Sequence, residues 1–360
     1  MSMAPARILV TGGAGYIGSH VLVELLGAGH DVHVIDSLAT GRAAALDGAR
    51  AIAGRDFGFS RVDLRDGAAL GAALAAFRPD AAIHLAGLKA VGASVADPLG
   101  HASVNVAGTM GLLRALEQCG CRRLVFSSSA AVYGTPEALP VGEGHPLRPE
   151  SPYGRSKAMV ERILTDLAAS DDGWSVAMLR YFNPVGAHRS ARIGEDPKGE
   201  PSNLVPLLMR AALSGGGVTV HGADWPTRDG SGLRDYLHIA DLARGHLAAL
   251  DWTRASPGAE AFNLGTGRGA TVLEMIAALV EASGRRVDYA IGPRRPGDVA
   301  ASYADPRKAA RLLGWRAESG LAEMCASAWA WAKANPGAYA ASGHATSGSS
   351  ATIGASEAAG

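Results

Sequence analysis

The sequence predicts an α/β protein, a doubly wound parallel sheet with a smaller mixed α/β lobe attached. Three observations carry that expectation. Short apolar runs alternate with segments of helical length through the first half of the chain, an order that calls for right-handed crossovers and helices on both faces of a parallel sheet. The runs are apolar at nearly every position, as burial on both faces requires. A glycine cluster, "VTGGAGYIGSH", closes the first run and opens the first helical segment.

Taken in order, "RILVTG" (residues 7–12) reads as the first strand and residues 16–28 as the first helix. "DVHVID" (residues 31–36), "FSRVDL", "AAIHLAG", "RLVFSSS" and "WSVAMLRYF" follow as strands, with a helical segment at residues 68–77. After about Asn183 the rhythm breaks. Pro184, Pro197, Pro201, Pro206, the glycines at 215–217, Pro226 and "DGSG" punctuate shorter elements. Helical patterns return at residues 238–251, 272–283 and 321–334. We therefore expect a first domain over residues 1–183 and a second lobe over 184–340, interleaved with the first. The Ala/Ser/Gly-rich residues 341–360 read as a disordered tail, and no internal repeat is visible.

Composition narrows the partners. The chain has 360 residues, 48% hydrophobic and 19% charged, with a formal net charge of +0. Nothing in that balance favours nucleic acid or an anionic membrane as partner. Cys119, Cys121 and Cys325 form no disulfide framework, and Cys119-Gly-Cys121 lacks the companion ligands of a zinc site. They read as reduced thiols of a cytoplasmic protein. The first residues show no signal-peptide layout, and no run of 18 apolar residues is present to span a membrane. Lone histidines such as His20 and His84 read as core or helix residues, so no metal is expected.

Gly12, Gly15 and Gly18 stand three apart between the first strand and the first helix. A glycine permits the tight turn, and missing side chains let a pyrophosphate approach the free N–H groups of the helix. Asp36 ends the second strand, eighteen residues past Gly18. A carboxylate there accepts ribose hydroxyls and repels a 2′-phosphate, so the Rossmann-like first domain is expected to hold NAD. Asp63, near the end of the third strand, reads either as a partner of the adenine amino group or as a surface carboxylate before a helix.

The reacting end lies further along. Ser127, Ser128 and Ser129 close the fifth strand, where the carboxyl ends of parallel strands line a ligand crevice. Such hydroxyls bond a substrate or simply cap the strand end. In "SPYGRSK", Tyr153 and Lys157 stand one helical turn apart after a Ser-Pro helix start, so their side chains share a face. A phenol beside an ammonium loses its proton more readily than one in water. On its own, the same spacing also describes an ordinary exposed helical pair.

Together these residues resemble the extended short-chain dehydrogenases/reductases. The strings "HLAGLKAVGASV", "VFSSSAAVYG", "LRYFNPVGAH", "DGSGLRDYLHIADLA", "FNLGTG" and "RRPGD" are similar, segment by segment, to the UDP-glucose 4-epimerase family. The resemblance spans residues 7–339. It implies an isomerase that interconverts UDP-galactose and UDP-glucose by transient oxidation at C4 with tightly bound NAD. Tyr153 is then the base, Lys157 the bond to the nicotinamide ribose and Ser129 the bond to the sugar 4-hydroxyl. Cofactor contacts fall on Gly12, Gly15, Tyr16, Ile17, Gly18, Asp36, Ser37, Asp63, Leu64, Leu85, Ala86, Gly87, Lys89, Tyr153, Lys157 and Phe182. UDP-sugar contacts fall on Ser129, Tyr153, Asn183, Asn203, Leu204, Arg234, Arg295, Asp298 and Ser302. Read without the family, Arg234 in "GLRDY" is as well explained by pairing with a neighbouring acid. The family also implies a homodimer.

Three departures stand out. Val104, just before Asn105, replaces an asparagine near the cofactor, and His221 replaces an aromatic near the uracil. Ser302 stands where hexose-restricted members carry a tyrosine. Space beside the sugar C2 then admits UDP-N-acetylglucosamine and its galacto epimer, unless Tyr303 fills it or a one-residue slip exchanges the two faces. Two rival readings remain at this stage. A nucleotide-sugar dehydratase or decarboxylase is one, although Ala130 and Ala131 follow Ser129 where a dehydratase needs an acid pair. A dinucleotide-sensing module without turnover is the other.

Overall fold

A computed structural model describes residues 5–199, 201, 203–295 and 298–339. The tail expected at 341–360 lies outside the described residues. The first half runs β1 (Arg7–Thr11), α1 (Tyr16–Gly27), β2 (Asp31–Ile35), α2 (Ala43–Ala53), β3 (Gly58–Ser60), α3 (Gly67–Phe77), β4 (Ala81–His84), α4 (Val91–Ala96), α5 (Pro98–Ala102), α6 (Gly108–Gln118), β5 (Arg123–Ser127), α7 (Pro152–Ser170) and β6 (Ser175–Tyr181). The second half adds β7 (Asn183–Val185), α8 (Leu204–Ser214), β8 (Gly217–His221), β9 (Leu233–Arg234), β10 (Tyr236–His238), α9 (Ile239–Trp252), β11 (Gly258–Leu264), β12 (Ala270–Thr271), α10 (Val272–Ser283), β13 (Asp288–Gly292), β14 (Ala301–Ser302), α11 (Arg307–Leu312) and α12 (Leu321–Ala334).

Seven strands form one sheet in the order β11-β6-β5-β4-β1-β2-β3, with every neighbouring pair parallel. Side chains alternate along β1: Ile8 and Val10 enter a core with Leu22 and Leu25 of α1 and Leu242 of α9. Leu9 faces the other side, with Leu70 of α3, Leu112 of α6 and Val160 of α7. Both faces are therefore buried, and that is why the strand is apolar at successive positions. Burying each such leucine or isoleucine contributes roughly 1.5–3 kcal/mol. The chain leaves β1 toward β2 and β3 on one side, and β4 leads toward β5 and β6 on the other. The crevice at their carboxyl ends is the switch point where such sheets take ligands.

The second half builds three small sheets: β7 with β10, β9 between β12 and β14, and β8 with β13. Leu208, Met209, Ile276, Leu279, Met324, Ala328 and Trp331 pack α8, α10 and α12 into a separate core. β11 and α9 return to the large sheet, so that sheet also recruits the second half of the chain.

Two strand expectations need correction. The third strand is only Gly58–Ser60, and the rest of "FSRVDL" lies in a loop held by local turns, so Asp63 sits beyond the strand. The fifth strand ends at Ser127, because the next residues turn into a short 3₁₀ segment, Ala130–Val132, with Ser129 as its cap.

Candidate active site

The glycine cluster makes a cradle that no side chain could share. Gly12 has φ +77°, and a Cβ there would lie 2.5 Å from the Ala86 nitrogen. A Cβ on Gly18 would lie 2.2 Å from the Gly12 carbonyl oxygen. Gly15 caps α1 without a side-chain acceptor, so the first-turn amides stay available to an anion. Tyr16 and Ile17 open that helix, and the Tyr16 hydroxyl donates to the Gly186 carbonyl at 2.6 Å, tying the second lobe to the cradle. Asp36 is buried just past β2 and accepts from the amides of Ala14 (3.0 Å) and Leu38 (2.8 Å). Burial raises its pKa while those amides oppose. The Ser37 hydroxyl accepts from the Ala39 amide beside it. These features fit a dinucleotide: a hollow at a helix N-terminus, followed by a buried carboxylate at the next strand end.

Asp63 is differently placed. Its two oxygens accept from the Arg65 side chain at 2.9 and 2.6 Å, and that pairing lowers its pKa. The carboxylate is partly exposed and engaged by its own neighbour. Leu64 beside it is buried in the sheet core. Leu85, Ala86 and Gly87 follow β4, with the amides of Leu85 and Ala86 donating to the Thr11 backbone and hydroxyl oxygens. Asn105 clamps the same loop: its side-chain oxygen accepts from the Leu88 amide at 2.8 Å, and its amide group donates to the Leu88 carbonyl and the Ser156 hydroxyl. Val104 sits with it on a π-helical turn, Ser103–Ala107.

The three serines have three destinations. The Ser127 hydroxyl meets His246 Nε2 at 2.8 Å, and the Ser128 hydroxyl donates to Glu161 at 2.5 Å. Ser129 turns toward the Tyr153 phenol as a hydrogen-bonding partner. Tyr153 stands on the first turn of α7, which starts at Ser151 because that hydroxyl accepts from the Gly154 amide at 3.0 Å and Pro152 follows. Burial raises the phenol's pKa, and Ser129 and the Lys89 ammonium pull against that rise.

Lys157 shares a helix face with Tyr153, and its ammonium donates to the Ser127 carbonyl at 2.7 Å and lies 4.8 Å from the Phe126 ring centre. Lys89 is a cation that lowers the phenol's pKa, and it pairs with Glu195 at 2.9 Å. Spacing four apart fixes a face, and the carbonyl at the end of β5 decides where on that face the amine docks.

The remaining candidates lie on the second lobe's side of the crevice. Phe182 is buried, and Asn183 follows it, exposed, at the start of β7. Asn203 is the N-cap of α8, and Leu204 is its first residue. Arg234 on β9 donates to the carbonyls of Leu233 and Val299 and lies 3.8 Å from Asp298. Ser302 pairs with Arg234 across β14 and β9, so these three come together. Tyr303 lends its carbonyl to the Val141 amide. Arg295 and His221 line a cavity of about 740 Å³ with Leu207, Thr219 and Tyr339, a cavity that Tyr153 does not line.

Sequence reasoning missed Glu195, Glu161 and Arg180. Arg180 is a charge inside the otherwise apolar run "WSVAMLRYF", and that was the available signal. No acid stands on the turn after Ser129, where Ala130 and Ala131 lie. Among the described residues no group of three or more His, Cys, Asp or Glu could hold a metal ion, and no helix is long and apolar enough to cross a membrane.

Known proteins give the same outline. The model of the NAD dependent epimerase/dehydratase family matches residues 8–265. A UDP-glucose 4-epimerase of Bacillus subtilis is 51% identical over 333 residues, 92% of this chain and 98% of the relative. The crystal structure of a UDP-glucose 4-epimerase from Stenotrophomonas maltophila, with bound NAD and formylated UDP-arabinopyranose, superposes with a TM-score of 0.90 at 45% identity, covering 92% of this chain and 99% of that one. That of Bifidobacterium longum, in complex with NAD+ and UDP, gives 0.89 at 45% identity over 92% and 99% of the two chains.

Proposed function

The chain belongs to the NAD dependent epimerase/dehydratase family, and from that premise we propose that it interconverts UDP-galactose and UDP-glucose as a 4-epimerase. The observation that carries this reading is the buried Tyr153 phenol, hydrogen-bonded by Ser129 and faced by Lys89, in a chain whose first helix opens on a glycine cradle.

Gly12, Gly15, Tyr16, Ile17, Gly18, Asp36, Ser37, Leu85, Ala86, Gly87, Lys89, Lys157 and Phe182 would hold NAD, with Leu64 beneath and Asp63 reaching it only by leaving Arg65. Bound there, NAD would supply a hydride acceptor able to give the hydride back, together with a positive charge. Tyr153 takes the proton of the sugar 4-hydroxyl, with Ser129 holding that hydroxyl and sharing the proton path. Burial raises the phenol's pKa despite Ser129 and Lys89, so the positive charge of bound NAD would have to supply the remaining pull toward the phenolate. The 4-keto sugar then turns over, so that the hydride would return to the opposite face of C4 while Tyr153 gives its proton back to the C4 oxygen.

A hexose that must rotate cannot be gripped, so affinity has to come from the UDP end. Asn183, Asn203, Leu204, Arg234, Arg295 and Asp298 are suited to that, guanidiniums matching diphosphate oxygens in fork geometry. Ser302, pairing with Arg234, leaves room for an N-acetyl group, so UDP-N-acetylglucosamine and its epimer are further substrates. Division into a cofactor domain over residues 1–183 and a sugar-nucleotide lobe over 184–340 follows the same reading. A homodimer is supported by apolar side chains left exposed on neighbouring helices, Val95 on α4, Leu99 on α5 and Met159 on α7. The free cysteines support a cytoplasmic setting.

The test is direct. Purified protein incubated with UDP-galactose and no added NAD should form UDP-glucose. Failure to form it, in protein whose absorbance shows bound dinucleotide, would reject the proposal.

A further inference from the structure

One charged cluster behind the site takes no part in the chemistry described so far. Glu161 lies on α7 one turn beyond Lys157 and two beyond Tyr153, and it is 3% exposed. Arg180 of β6, also buried, reaches it in fork geometry: Nε donates at 2.9 and 3.1 Å and the terminal nitrogen at 2.6 Å. The Ser128 hydroxyl donates to the same carboxylate at 2.5 Å. Arg180 is held in turn by the Tyr133 hydroxyl (3.1 Å) and the Glu143 carbonyl (3.0 Å). Two buried ions cost several kcal/mol of desolvation each, and apolar residues of like size would serve packing at least as well. The pair therefore needs a reason beyond stability.

Its neighbours supply one. Ser128 lies between Ser127, whose carbonyl receives the Lys157 ammonium at 2.7 Å, and Ser129, which meets the phenol. Three consecutive residues at the end of β5 thus connect one carboxylate to the amine and to the reacting hydroxyls. We propose that Glu161, fixed by Arg180 and Ser128, is a positioning residue that keeps Lys157 an ammonium docked on the Ser127 carbonyl. Burial pushes the Lys157 pKa down to about 8, and Glu161 is the charge that opposes the fall. The other groups packed around the amine supply no negative charge: the Phe126 ring on β5 and His84 on β4, whose own pKa burial and Lys157 push down to about 3. Without the carboxylate, Lys157 would lose its proton in the neutral range, and the neutral amine would hold the Ser127 carbonyl by a weaker hydrogen bond that carries no charge.

The inference rests on Lys157 serving the proposed reaction, and its test is chosen to stand apart from that. Lysine-labelled protein is titrated by NMR, with K157M assigning the signal, alongside the pH profile of kcat. E161Q should lower the Lys157 midpoint by about 1 unit or more, the size of a nearby counter-charge effect. R180M, which leaves Lys157 as the carboxylate's remaining cation, should raise it. The alkaline limb of kcat should follow each midpoint. A purely structural pair would instead depress kcat equally at every pH. A midpoint unmoved in whichever variant folds, or moved the same way in both, overturns the proposal, and so does a limb that stays while the midpoint moves. Absence of epimerisation in the wild type would remove the reaction and leave the titration result intact.

Discussion

Lowering the pH from 7 to 5 should strip much of the folding free energy, because this protein buries histidines in their neutral form. Burial pushes His20 and His84 down to about 3 and His246 to about 4. Their neighbours agree with the neutral ring. His84 spans the hydroxyls of Thr11 (2.7 Å) and Thr109 (2.8 Å), and since Thr109 donates to the Asn105 carbonyl, its oxygen must accept from His84. His246 donates from Nδ1 to the Leu242 carbonyl and accepts from Ser127. A folded pKa below the unfolded one contributes stability that is complete above about 6.5 and is lost as the pH falls toward the folded value. Each ring then costs about 2 kcal/mol between pH 7 and pH 5, or about 6 kcal/mol for the three, against a typical total of about 5–15 kcal/mol. His30, His33, His188 and His238, also lowered by burial, add in the same direction. Urea unfolding at fixed NAD from pH 7.5 to 5 measures this, since the slope of free energy against pH counts protons taken up. Near pH 5.5 the slope should be about three protons or more, and H246Q should reduce it by about one. A flat profile across that range would refute the reasoning.

Other outcomes follow from single contacts. Ala at Gly18 would put a Cβ 2.2 Å from the Gly12 carbonyl, so G18A should shed its dinucleotide on gel filtration, with about tenfold or greater loss of affinity. S129A should keep its NAD and its fold but lose about 10²–10⁴ in kcat, read by steady-state kinetics. S302Y should retain UDP-glucose turnover and lose turnover of the N-acetylated pair, compared by coupled assay on both sugars.

Much of this site lies in contiguous residues, and for that reason it could be read early. The glycine cradle, the end of β5 and the start of α7 are each set by a short string whose spacing dictates its geometry. Helices α10 and α12 likewise fall on residues 272–283 and 321–334, where their apolar periodicity placed them. Pairings across long separations were not legible. Lys89 meets Glu195 from 106 residues away, and Arg180 finds Glu161 because β6 lies beside α7 in space. β11 joins the large sheet after two helices and four small strands, so position in the chain hid its membership. Lys157 is the instructive case: periodicity gave its face, while the partner it chose there depended on a backbone carbonyl from another element. Asp63 adds a pairing set by near neighbours, since Arg65 two residues on engages its carboxylate.

Whether hydrogen leaves C4 and comes back without meeting solvent is the question everything else serves. UDP-glucose carrying deuterium at C4, turned over in ordinary water by the purified protein, answers it by mass spectrometry of the UDP-galactose formed. Full retention of the label at C4 is the expected result. Label washed out into water would mean the proton and the hydride do not part as described, and the roles given to Tyr153 and its neighbours would fall.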